Sequence, residues 1–301
     1  AASHFARIFS EGVEPMTARV WNALRIEWMK ARRRPYTHLG IVLVIAAVLS
    51  AMLVRPIVRD GRGDYVFLAY ATPMALDLLG LLVVVMFSAS LVSTELSRGT
   101  ACLVLVRPIR RHEFLLAKFL TAITYAAFLT IATVVSSWAP VAIFGDLTGV
   151  TFGGESVYTN VDMILTYLAA ALLGFLPLAA AAAYGVMMST LMRSTAAAVG
   201  LSVGLWILVD IIKYPLRIAP FLFSTYIETP WQIFSDRAEG IYSPWGMEEA
   251  FLIGTSTVWM MIFLAISISV FSRRNLQTWP PLHSCCCSAD SSSFRRKCPA
   301  F

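Results

Sequence analysis

Few side chains in this sequence are placed for covalent chemistry. His4, His38, His112 and His283 are scattered, and none falls deep in an apolar run, which argues against haem ligation inside a membrane. Of the five cysteines, Cys285, Cys286, Cys287 and Cys298 crowd the last stretch and Cys102 stands alone. No pair has the spacing of a disulfide framework or a zinc site. No G-x-x-x-x-G-K-[ST] phosphate loop occurs, so the chain is not expected to hydrolyse ATP. No catalytic, cofactor-binding or metal-ligating residue is assigned. Two carboxylates, Asp77 and Asp210, do interrupt long apolar runs, where a charge is costly and faces a cavity or a partner. Asp210 lies three residues before Lys213, a spacing that pairs them on a helix. Asp77 has no such neighbour and reads either as a pathway residue or as a polar contact inside a bundle.

A second kind of chemistry, docking, is written in the segment ELSRGTACLVLVRPIRRHEFLLAKF, residues 95–119. It joins two long apolar runs and is rich in Arg, which between membrane spans marks the cytoplasmic side. Inside it sits ACLVLV, too short to span and bounded by Gly99 and Pro108. An apolar patch within a charged loop calls for a partner protein to bury it.

The elements that must position these residues follow from composition. Of 301 residues 58% are hydrophobic and 14% charged, with mean hydropathy +0.71; a soluble domain carries about 25% charged residues. The chain is a polytopic membrane protein. Residues 1–16 are mixed in composition and are expected to be a cytoplasmic segment; the first of them show no short apolar core of a cleavable signal peptide. Across residues 17–36, Val20, Trp21, Leu24, Trp28 and Ala31 recur at helical spacing, with Arg19, Asn22, Arg25, Lys30 and Arg33 on other sides. That pattern suits a helix lying in the membrane interface and ending at Pro35.

Six spans are expected within residues 37–274: about 37–54, 65–93, 114–144, 163–191, 195–213 and 250–271. Pro73 is placed to kink the second, and Pro140 to bend or stop the third. Of the 24 Lys and Arg, only Arg55, Arg59, Arg62, Lys213, Arg217 and Arg237 fall in segments between spans on the outer side, so both termini are expected in the cytoplasm. This accounts for the net charge of +6 better than nucleic-acid binding does. The outer connection, residues 214–249, mixes Pro with Trp, Phe and Tyr. It reads as short helices dipping into the outer leaflet or as a loop resting on the bilayer. Residues 275–301, with a Cys triplet and a Ser run, read as a disordered cytoplasmic tail.

Ala181, Gly185 and Ser189 in the fourth span, and Ala196, Gly200 and Gly204 in the fifth, repeat every fourth residue, which lets helix backbones approach closely. The tight turn at Arg193–Ser194 predicts that these two spans pack on each other; pairing of two copies is the lesser reading.

The order Glu95, Gly99-Thr100, Leu103 and Leu105, Pro108, Arg111, Leu115-Leu116 and Lys118-Phe119 resembles the loop after the second span in membrane subunits of type 2 ATP-binding-cassette (ABC) exporters. Together with the span count, the resemblance extends over residues 17–274. It implies that residues 94–113 hold a coupling helix docked on a separate ATPase, with Arg98 and Lys118 in the same constellation. It further implies that Trp21, Leu24 and Trp28 belong to an elbow helix. Two permeases, identical or not, would pair in the cell membrane and bind two cytoplasmic ABC ATPase subunits, which carry the ATP and Mg. The alternative is a stand-alone channel or ion-coupled carrier. Nothing in the sequence selects a substrate.

Overall fold

A computed structural model describes residues 16–54, 57, 63–97, 111–152 and 155–273. Its helices are α1 (Met16–Arg32), α2 (Pro35–Val54), α3 (Gly63–Met74), α4 (Leu81–Ser97), α5 (Arg111–Phe144), α6 (Asn160–Leu191), α7 (Thr195–Ile212), α8 (Thr229–Ala238) and α9 (Met247–Arg273). A π-helical turn, Ala75–Gly80, fuses α3 to α4, so that Asp64–Ser97 runs as one span. Six helical segments are long and apolar enough to cross a membrane, as the hydropathy predicts. Residues 1–15 and the tail from 274 onward, including Cys285, Cys286 and Cys287, lie outside the described residues.

Local chemistry sets the boundaries. Pro35 opens α2, where its missing N–H costs nothing and its fixed φ suits the first turn. Thr37 ties that turn to the end of α1 by donating to the Ala31 carbonyl at 2.8 Å. Pro73 removes one hydrogen bond from the second span, and the helix continues through the π turn that follows. Pro140 does not stop the third span, which runs on to Phe144. Ser194 caps α7 by accepting from the Ala197 N–H at 3.2 Å.

The interior is organised around α4 and α6. A Cβ on Gly185 would lie 1.8 Å from Ser88 Oγ and 2.9 Å from the Val85 carbonyl oxygen. One turn on, Ser189 Oγ accepts from the Val92 and Ser93 N–H groups at 3.0 and 2.8 Å. The fourth and fifth spans do pack on each other, as their tight turn predicts, but Gly185 and Ser189 of the small-residue repeat serve contact with α4 instead, and Ala181 is buried on the same helix. The reason is chemical: α4 offers Ser88 and the backbone of Val92 and Ser93 to a helix that lacks bulk. On α7, Ala196, Gly200 and Gly204 are exposed, and no atom lies within 4 Å of a Cβ on either glycine. Tyr184 joins α6 to α7 instead, donating to the Ser202 carbonyl at 2.9 Å.

Two features were not legible in the hydropathy. Residues 145–159 contain a short antiparallel hairpin, β1 (Val150–Phe152) with β2 (Glu155–Tyr158), paired from Val150 opposite Tyr158. Within 214–249, α8 is docked rather than resting on a bilayer: Trp231 and Phe234 are buried and meet the Tyr167 ring of α6 edge-on, at 5.5 and 5.2 Å.

Candidate functional site

The site grows from the inward stripe of α1. Val20, Glu27 and Ala31 recur at seven and four residues, hence on one side of the helix, and all three are buried. Leu24 lies beside them, half-buried. Trp28 stacks on Phe128 of α5 at 5.1 Å. Trp21 does not share this side, as the spacing had suggested; it is 66% exposed. A carboxylate thus occupies the apolar stripe of a helix pressed against α5, and such a charge requires partners.

The partners come from the two helix ends that flank residues 98–110. Lys118, on the second turn of α5, is fully buried and donates to Glu27 and, at 2.8 Å, to Glu95 near the end of α4. Lys30 closes the ring, donating to Glu27 at 2.8 Å and to Glu95 at 3.1 Å. Two ammonium and two carboxylate groups balance, and three helices meet in them. Beside the ring, Arg19 of α1 pairs with buried Glu113 at the start of α5, at 2.7 Å. Arg111 donates to the Ser272 carbonyl at 2.8 Å, bringing the last turn of α9 to the same place.

Electrostatics agree with the geometry. Burial drives the Glu27 carboxyl upward, but the charges of Lys118 and Lys30 and their hydrogen bonds outweigh it and hold the group below its usual 4.5. Burial likewise drives Lys30 downward, and Glu27 and Glu95 more than reverse this, raising it above 10.5. Glu27 and Lys30 are thus both held in their charged forms. No group of three or more His, Cys, Asp or Glu able to hold a metal occurs among the described residues.

Of the docking-loop residues, Glu95, Arg111 and Lys118 thus converge at one end of the bundle. Arg98, Gly99, Thr100, Leu103, Leu105 and Pro108 lie outside the described residues. Asp210 accepts from Lys213 at 2.6 Å, the pair expected from their spacing, and from Ser224 at 3.3 Å. Asp77 lies on the π turn, away from the ion ring, and its Oδ1 is buried with no hydrogen-bond partner among the described residues. In the sequence alone Glu27 and Glu113 carry no role, and Arg19 and Lys30 stand only on the polar sides of the first helix. For Glu27 the signal was there: an acid in helical register with Val20 and Ala31.

The chain has relatives among known proteins. The family model described as "Protein of unknown function (DUF2705)" matches residues 57–277, most of the chain. The "Uncharacterized membrane protein YdbK" of Bacillus subtilis (strain 168) is 24% identical over 262 residues, covering 83% of this chain and 100% of the relative. The "Uncharacterized protein YhcI" of the same organism is 23% identical over 223 residues, 70% of each chain. The first relative's name and the six apolar helices agree on a multi-pass membrane protein.

Proposed function

We propose that this chain, which belongs to the DUF2705 family of proteins of unknown function, is the membrane subunit of an ATP-driven exporter resembling the type 2 ABC family. The observation that carries this reading is the ring of buried Glu27, Glu95 and Lys118 closed by half-exposed Lys30, which fastens an amphipathic entry helix to both helix ends bounding residues 98–110. A push on that segment would reach α1, α4 and α5 as one block, because no member of the ring can part from the others without leaving a buried charge. Leu103 and Leu105 would seat in a groove of a soluble ATPase, with Arg107 and Arg110 positioning the segment. Two copies, or a copy and a paralogue, would form the path. The ring end of the bundle and both termini would face the cytoplasm, with the ATP and Mg held by the two ATPase subunits.

The test is co-purification of the detergent-solubilised full chain from its own host, wild type against Leu105→Glu, with partners identified by mass spectrometry. A buried charge at the contact costs several kcal/mol. The reading expects a phosphate-loop ATPase with wild type and its loss in the variant. A wild-type chain that purifies alone, or a variant that keeps the ATPase, overturns it. Asp77 favours the rival, an ion-coupled carrier: an unpartnered buried carboxylate oxygen on a π turn suits a proton or cation. In that case no ATPase appears and Asp77→Asn abolishes transport.

A further inference from the structure

At the opposite end from the ion ring, the hairpin, the start of α6 and the loop after α8 enclose a cup of about 510 Å³. Arg237 is its centre. Its Nε donates to the Ser243 carbonyl at 3.0 Å and its Nη1 to Thr166 Oγ1 at 2.8 Å. Its guanidinium lies 5.8 Å from the Tyr158 ring and 5.7 Å from the Trp245 ring. These contacts fix the guanidinium while using only part of its five-donor fork. Among the described residues no carboxylate lies within ion-pair distance of it. Asp162 lines the same cup, but its Oδ2 is engaged by Thr159, which closes the capping box of α6. The cup therefore presents a cation and an anion that feel each other's charge without forming a contact ion pair, beside aromatic rings of the kind enriched at membrane interfaces.

Beneath the cup, α5 and α6 form an almost wholly apolar groove of about 390 Å³, lined by Thr130, Ile131, Val134, Leu168, Leu172 and Phe175. Leu165 on the rim of the cup is followed at three and then four residues by Leu168 and Leu172, so one side of α6 leads from cup to groove. All three are exposed, and the helical rise from Leu165 to Leu172 is about 10 Å. A polar site with both charges, opening onto an apolar track of this length, has the form of an amphiphile.

We propose that this end of the bundle binds one zwitterionic phospholipid. Its phosphate meets Arg237, its ammonium group meets Asp162, and one acyl chain lies over Leu168 and Leu172. A guanidinium is suited to phosphate by its planar fork. An anionic headgroup without an amine would satisfy Arg237 but meet Asp162 unfavourably. The proposal is independent of the exporter reading, since it concerns the other end of the molecule and needs no ATPase.

Native mass spectrometry of the delipidated full chain tests it, with phosphatidylethanolamine, phosphatidylglycerol and soluble glycerophosphoethanolamine titrated separately. Wild type is expected to take up one phosphatidylethanolamine roughly tenfold more tightly than phosphatidylglycerol, and the soluble headgroup far more weakly. Arg237→Gln should weaken uptake roughly tenfold, the scale of one charge-assisted hydrogen bond. Leu172→Trp, at a position 71% exposed where folding should not suffer, fills the groove and should weaken it comparably. Equal binding of the two lipids overturns the proposal. So does binding that neither variant alters, or a soluble headgroup held as tightly as the lipid, which would make the cup a site for free phosphate compounds.

Discussion

Glu27 and Lys118 stand ninety-one residues apart and share a hydrogen bond inside the bundle. Glu95, on the far side of residues 98–110, takes a second donor from the same ammonium group. A segment whose two ends are joined in this way moves its flanking helices together or not at all. Removing Lys118 as Lys118→Met leaves two buried carboxylates sharing Lys30, and loss of one partner from such a pair costs roughly 3–5 kcal/mol. Lys118→Met/Glu95→Gln restores the balance of charge to one and one. Thermal unfolding in detergent should show the double variant recovering part of that loss. Strictly additive costs would mean that the ring is not a coupled unit.

The ring also fixes a pH dependence. Glu27 is held below 4.5 in the folded chain, so its contribution is full above that value and is lost as pH falls through the lower, folded value. Lys30 is raised above 10.5, so its contribution is full below that value and is lost only as pH rises past the folded one. Attachment of α1 should therefore be flat from mildly acidic to mildly alkaline pH and weaken at both extremes. Hydrogen exchange of the α1 amides across pH, corrected for intrinsic rates, reads this directly. A transition near neutrality would contradict it.

Glycines on two neighbouring helices should respond in opposite senses. At Gly185 a methyl group would meet the Val85 carbonyl oxygen at 2.9 Å, backbone that cannot swing aside as Ser88 Oγ can. Gly185→Ala should cost roughly 1–3 kcal/mol, the range for overpacking. Gly200→Ala and Gly204→Ala add a methyl group to open space and remove the helix penalty of glycine, a gain of up to about 1 kcal/mol. The melting temperatures of the purified variants decide this. Destabilisation at Gly200 or Gly204 would show that a partner, absent from the single chain, covers that face.

Span number and position were legible because hydropathy over some twenty residues reports a single fact, the thickness of the bilayer core. Which face of a span meets which neighbour was not. The repeat at Ala181, Gly185 and Ser189 states that some backbone comes close, but its identity as α4 depends on Ser88 and the backbone of Val92 and Ser93, about a hundred residues earlier. Glu95 and Lys118 stood out through their neighbours in the segment between spans. Glu27 did not, because a carboxylate on a basic amphipathic helix looks solvated until the helix is turned inward. The hairpin was hidden by its brevity: three and four residues carry too little alternation to be separated from loop.

Asp64, buried at the start of α3, accepts from the Asp146 and Leu147 N–H groups at 2.7 and 2.9 Å. Leu147 has φ 45°, a left-handed conformation disfavoured for a branched side chain, so the turn that launches β1 depends on this acceptor. Gly145 is the neighbour that permits it, since a Cβ there would lie 2.7 Å from the carboxylate. Asp64→Ala removes two hydrogen bonds that part-buried N–H groups make to a carboxylate and should cost roughly 2–3 kcal/mol. Asp64→Asn keeps one acceptor oxygen and should cost less. Hydrogen exchange at residues 146–152 should rise strongly in the alanine variant and modestly in the asparagine one. Unchanged protection in both would mean that β pairing alone, without Asp64, holds the hairpin to the bundle.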